Sequence, residues 1–159
     1  MKIGIVREIN APIEAVFAFL DNPENAVGIN PHVVHIEVIE RSPDGRQMVD
    51  AHLSSPEGLS WAQTIDQVVR QPPSRLMTRA WTWKDDRRHR FLVIETDRHL
   101  SSTGERTRLE VTIEGSIDKP FRHPLRVLQS WFHRGTAQRE FERQYDIVVE
   151  RIELAVHGR

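Results

Sequence analysis

Apolar residues recur at helical spacing along the last long stretch of the chain, from about Pro124 to Leu154. Leu128, Trp131, Phe141, Tyr145, Val148 and Ile152 are separated by three, four or multiples of such steps, so the spacing predicts one helix with one buried stripe. Pro124 stands where a first helical turn tolerates proline, and only Gly135 interrupts an otherwise helix-compatible run. At about 1.5 Å per residue this helix would be about 45 Å long. It needs a large apolar partner surface, which the preceding chain must supply.

Upstream the period is mostly two. Lys2 to Ile9 reads as a strand with Ile3, Ile5 and Ile9 on one side. Asn10 offers a helix N-cap, Pro12 falls in the first turn, and Val16, Phe17, Phe19 and Leu20 give a short amphipathic helix ending near Asp21. Pro23 to Val27 starts a second short helix, which Asn30-Pro31 ends. Alternation then returns in Val34 to Val38, Gln47 to Ser54, Leu59 to Val69, Leu76 to Trp83, Phe91 to Leu100 and Leu109 to Ile113. Ser42-Pro43-Asp44-Gly45, Pro56-Glu57-Gly58, Pro72-Pro73-Ser74, Asp85-Asp86 and Ser101 to Glu105 are turns by composition, so these strands form an antiparallel meander. Strand, two short helices, six strands and a long helix make an α+β fold. A seven-stranded sheet must curl, and the long helix is the element able to lie in its concave face.

Length and charge narrow the class. A chain of 159 residues is expected to form one domain, residues 1–159, with a substantial core. It has no cysteine, hence neither disulfides nor a thiolate metal site. Charges nearly balance, 22 basic against 23 acidic, which removes any bulk pull toward nucleic acid. Charges at Arg7 and Glu8 leave no room for a signal-peptide apolar region, and no apolar run reaches membrane-spanning length. The expectation is a cytoplasmic protein with no stable membrane insertion.

The segment Ile9 to Pro31, INAPIEAVFAFLDNPENAVGINP, followed by the Val34 to Val38 strand, resembles the opening of the helix-grip superfamily. That superfamily includes START lipid-transfer domains, birch-pollen-type allergens and polyketide cyclase/dehydrase-like proteins. The shared pattern is a strand, an Ala-Pro that begins the first helix, an aromatic-rich helix, an Asp-x-Pro-Glu turn and an Asn-Pro before the second strand. Where a tryptophan often precedes that Asn-Pro, this chain carries Ile29. The resemblance implies an internal apolar cavity between a curved sheet and the last helix. The scaffold hosts binders, carriers and enzymes alike, so it leaves the reaction open.

Four tryptophans are the first candidates for that cavity. Trp61, Trp81 and Trp83 fall on predicted strands and Trp131 in the long helix, so they line one chamber if they turn inward and fill the core if they do not. Asn30, Val49 and Gln63 join them as candidate ligand contacts, with Gly135 leaving room in the helix. Arg79 shares a face with Trp81 and Trp83. A guanidinium in an apolar chamber would bind a carboxylate, phenolate or enolate, whereas the opposite strand facing puts Leu76 and Ala80 inside and Arg79 in water. Glu95, beside Asp97, raises the same question: buried it is an acid or base, outward it is solvated. His32, next to Asn30-Pro31, is a third candidate acid or base.

Eight histidines include no pair at metal-ligand spacing, so neither a metal nor a cofactor is expected. Lys119, Arg122, His123, Arg126, His133 and Arg134 make the start of the long helix basic. They form either a solvated face or a dock for an anionic partner such as an acyl carrier. Three readings follow. One is binding of a hydrophobic small molecule, lipid, aromatic or polyketide-like, without chemistry. Another is a cyclase/dehydratase-like enzyme using Arg79 with Glu95 or His32. The third is an interaction module whose own side chains fill the cavity. The first two differ in whether a polar pair converges inside; the third predicts no cavity of ligand size, which should reach about 300 Å³.

Overall fold

The computed structural model describes residues 1–117 and 134–158. Strand β1 (Lys2–Ile9) is followed by helix α1 (Ile13–Asp21), a single 3-10 turn at Pro23–Ala26, and strands β2 (Val33–Arg41), β3 (Gln47–Ser54), β4 (Ser60–Gln71), β5 (Arg75–Trp83), β6 (Leu92–Thr103) and β7 (Arg106–Ile117). Helix α2 (Arg134–His157) closes the described chain. The sheet has seven strands in the order β1-β7-β6-β5-β4-β3-β2, every pair antiparallel. It is the curved α+β arrangement that the alternation predicts.

Local chemistry sets several boundaries away from the expected ones. Pro12, not Asn10, is the N-cap of α1, and it offers no side-chain acceptor. Asn10 is occupied elsewhere: its N–H donates to Glu153 and its carbonyl meets the His157 ring at 2.6 Å. The Asn22 side chain caps the 3-10 turn by accepting from Glu24. Strands β6 and β7 run closer together than composition suggests, because Gly104 at φ 74 lets Thr103 pair with Arg106 across a two-residue turn. A bulge between Gln67 and Val69 reverses the facing of β4, so Val69 does not continue the row of Trp61 and Ile65.

The packed core lies at one end, where Ile3, Ile9, Leu76, Leu109, Ile113, Val16 and Ile152 are essentially inaccessible. Each such side chain contributes about 1.5–3 kcal/mol by leaving water. Helix α2 turns Ala137, Phe141, Tyr145, Val148 and Ile152 toward the sheet, the stripe read from the sequence. Ion pairing between Arg7 and Asp146 at 2.8 Å fastens it to β1. Arg151 fastens it to the loop after the 3-10 turn by donating to the Val27 carbonyl. Gly28 permits that contact: at φ +82, a Cβ there would lie 2.6 Å from the Arg151 guanidinium. The N-terminal part of the expected helix, including Pro124, Leu128 and Trp131, lies outside the described residues.

Candidate functional site

Away from the packed end, the sheet and α2 part to leave a cavity of about 240 Å³. The segment from Phe19 to Asn30 covers one side of it, and Val33 to Arg98 supply most of the floor. This is slightly under the range of about 300–1,000 Å³ usual for drug-sized ligands, so it suits a small one.

Strand register organises the floor into rows. Ile65, Ala80 and Ile94 are neighbours across β4, β5 and β6, forming an apolar band. On one side of the band lie Thr78 and Thr96; on the other lie Gln63, Thr82 and Leu92. Gln67 also lines the cavity, but its amide is committed to Asp21 and to the Gln47 N–H. Asp21 in turn is gripped by Arg70 at 2.8 Å, which ties the end of α1 to the floor.

Among the described residues, one cation reaches into this space. Arg98, half-buried on β6, donates from Nε to the Tyr145 hydroxyl at 2.9 Å and from Nη1 to the Thr78 hydroxyl at 3.3 Å. Among the described residues it has no carboxylate partner, although a guanidinium carries five N–H donors. The described lining contains no Asp, Glu, His or Lys side chain. Arg98 therefore presents an uncompensated positive charge to an apolar cavity, which favours an anionic or strongly polarised oxygen opposite it.

The expected site residues divide between the two faces of the sheet. Asn30, Val49, Trp61 and Gln63 line the cavity. Asn30 holds the chain entering β2 by accepting from the His32 N–H at 3.0 Å. Trp81 and Trp83 do not line it, because Thr78, Ala80 and Thr82 take the concave positions of β5. On the convex face Trp83 donates to Thr64, whose hydroxyl donates to the buried Asp50 carboxylate at 2.7 Å. Arg87 pairs with that carboxylate and lies over the Trp83 ring. Arg90 sits 4.4 Å from the Trp81 ring centroid, and the buried Trp81 Nε1 has no hydrogen-bond partner among the described residues.

Arg79 and Glu95 also point outward, paired with each other at 2.7 Å and 49% and 32% exposed. They are a cross-strand ion pair, and the alternative facing of β5, with Leu76 and Ala80 inside, is the observed one. His32 is off the cavity lining: its ring lies 5.7 Å from that of Trp61, and Nδ1 is 3.2 Å from the Ser54 carbonyl oxygen. It borders a separate polar recess with Pro31, Thr136, Glu140 and Arg143. Gly135 is exposed in the first turn of α2; a Cβ at that position would meet no heavy atom within 4 Å, and the residue takes no part in the cavity wall. Trp131 and the basic group Lys119, Arg122, His123, Arg126 and His133 lie outside the described residues.

Arg98, Thr82 and the polar use of Tyr145 are the contributions that the sequence pattern did not bring forward. A signal existed. Leu92, Ile94 and Leu100 share one parity of β6 with Arg98, so the strand's own apolar positions put that arginine inward and Glu95 and Asp97 outward.

Among the described residues no group of three or more His, Asp or Glu side chains is placed to hold a metal ion. No described helix is long and apolar enough to cross a membrane. No family model and no curated protein matches the chain by sequence. Solved structures do match in shape. An aromatase/cyclase, Zhui, from Streptomyces sp. R1128 superposes with a TM-score of 0.72 at 15% identity, covering 98% of this chain and 95% of that one. A START superfamily protein from Mycobacterium smegmatis gives 0.67 at 15% identity, covering 95% and 98%. One di-domain aromatase/cyclase, BexL of the BE-7585A biosynthetic pathway, gives 0.63 at 18% identity, covering all of this chain and 50% of that one.

Proposed function

Taking the helix-grip, START-like fold as premise, we propose that this protein binds a small hydrophobic molecule, aromatic, lipid or polyketide-like, that carries one acidic or strongly polarised oxygen. The observation that carries the reading is Arg98: a guanidinium beside an apolar band, bonded to two hydroxyls and to no described carboxylate. A charge in that position is costly unless a partner arrives, and a ligand's carboxylate, phenolate or enolate is such a partner. Tyr145 accepts from Arg98 and keeps its own proton to donate to the same oxygen. The Ile65, Ala80 and Ile94 band supplies a surface for the apolar body.

Convergence of Arg98 and Tyr145 also supports a second reading, a cyclase- or dehydratase-like enzyme. There Arg98 would stabilise an enolate oxygen and Tyr145 would hydrogen-bond it. The Arg79 and Glu95 pair has no part in it, being on the outer face. Binding without turnover is preferred, because the described lining offers no carboxylate or imidazole to take up a proton. Against the interaction-module reading stands an open, mainly apolar cavity, though one smaller than the usual ligand range.

Calorimetry with matched apolar probes tests the proposal: decanoate against 1-decanol, and 2-naphthoate against 2-methylnaphthalene. Acids should bind tighter than their neutral counterparts by about tenfold or more, the worth of a charge-assisted hydrogen bond. Equal affinities within each pair would overturn it.

A further inference from the structure

Polar side chains also line the cavity away from Arg98, and one adjacent pair on its floor is unexplained by an acid-binding role. Thr82 is 2% exposed and its hydroxyl makes no hydrogen bond among the described residues. Its cross-strand neighbour Gln63, also on the cavity wall, has an amide equally without a partner there. Their side chains share the concave face with Trp61 and Leu92. Buried hydroxyls are ordinarily satisfied, so an open one on the buried residue Thr82, with the half-buried Gln63 amide beside it, points to a ligand group or an ordered water.

Register fixes how far this pair lies from Arg98. The guanidinium reaches the Thr78 hydroxyl, and Thr78 and Thr82 are four residues apart on the same face of β5. At about 3.3 Å per residue their backbones are about 13 Å apart. Ile65, Ala80 and Ile94 fill the row between them, so polar, apolar and polar rows follow one another along the floor. The charges differ as well. One end offers a cation; the other offers a neutral amide, donor and acceptor at once, and a hydroxyl.

We infer that the cavity selects a two-ended ligand: an elongated apolar body with an acidic oxygen at Arg98 and Tyr145 and an uncharged hydroxyl or carbonyl at Gln63 and Thr82. The inference rests on the acid-binding reading above and adds the distal group and its spacing. An anion at the distal end is disfavoured, since no described cation stands there to offset its desolvation. An uncharged hydroxyl can donate to the Gln63 carbonyl and accept from Thr82. Specificity then comes from groups that a purely apolar acid leaves unpaired.

The test compares decanoate, 10-hydroxydecanoate and decanedioate by calorimetry on the wild type and on the double variant Gln63→Leu/Thr82→Val. A ten-carbon chain has a comparable extended length to the row spacing. The expected result is that 10-hydroxydecanoate binds the wild type about three- to tenfold tighter than decanoate. Decanedioate should bind more weakly than the hydroxy acid, and the double variant should bring decanoate and 10-hydroxydecanoate within twofold of each other. Equal wild-type affinities for decanoate and the hydroxy acid would overturn the two-ended ligand while leaving acid binding intact. So would an advantage that survives in the double variant. If neither acid binds, both readings fail. Should the double variant not fold, the wild-type comparison alone decides.

Discussion

Arginine stands both at paired sites around this sheet and inside its cavity, and the two settings treat it differently. Several arginines of the sheet and its loops meet an acid or a ring: on the convex face Arg79 pairs with Glu95, Arg75 with Asp97, Arg87 with Asp50, and Arg90 covers Trp81, and on the concave face Arg7 pairs with Asp146 and Arg70 with Asp21. In the cavity Arg98 meets two hydroxyls. The outer pairs are complete within the chain and serve the sheet, and the exposed ones among them contribute modestly because water competes. The inner arginine is incomplete within the described chain, and its missing counter-charge is what a ligand would bring. Residue type alone does not distinguish these roles; the opposite charge across the register does.

Substitution on each face separates them, beginning with the largest effect. Arg98→Met is expected to lower affinity for an apolar acid about ten- to hundredfold, measured by calorimetry, while leaving the melting temperature unchanged or raised. A large loss of stability would place Arg98 with the structural arginines instead. Asp50→Leu should do the reverse. It removes the acceptor of Thr64 and Arg87 from a site only 1% exposed, which should cost about 1–3 kcal/mol in urea unfolding and leave the preference for acids over alcohols in place.

The Arg75 and Asp97 pair gives a pH signature. Hydrogen bonds from Arg75 hold the Asp97 carboxyl below its ordinary value; partial burial opposes this and His99 adds to it. A folded-state value lower than the unfolded one contributes stability that is present above about pH 4 and is lost as pH falls through the folded value. Arg75→Met should therefore flatten the acid limb of the stability profile and cost, near neutral pH, a few tenths to about 1 kcal/mol. The smallest effect belongs to Arg79→Ala: under about 1 kcal/mol in stability and no change in ligand affinity, since its partner Glu95 is on the solvated face.

The meander was legible because Ser42-Pro43-Asp44-Gly45, Pro72-Pro73-Ser74 and similar turns punctuate runs of period two. The buried stripe of α2 was legible from Phe141 to Ile152 for the same reason at helical period. The site was only partly so. Trp61, Gln63, Val49 and Asn30 line the cavity, and of these only the strand residues could be weighed by alternation, Asn30 lying in the loop before β2. On β5 bulk pointed the wrong way: Trp81 and Trp83 face outward, covered by arginines of the loop from Lys84 to Phe91, while small Thr78, Ala80 and Thr82 leave the inner space open. A loop folding back over a sheet face cannot be read from alternation. Arg98 could have been, from the apolar parity of Leu92, Ile94 and Leu100.

Native mass spectrometry of the purified protein, with and without Arg98→Met, tests most directly whether the inner arginine awaits a ligand's charge. Wild type should carry, and on denaturation release, an apolar compound bearing a carboxyl, phenol or enol, and the variant should be depleted of it. Release of a neutral apolar compound, retained equally by both proteins, would contradict the account.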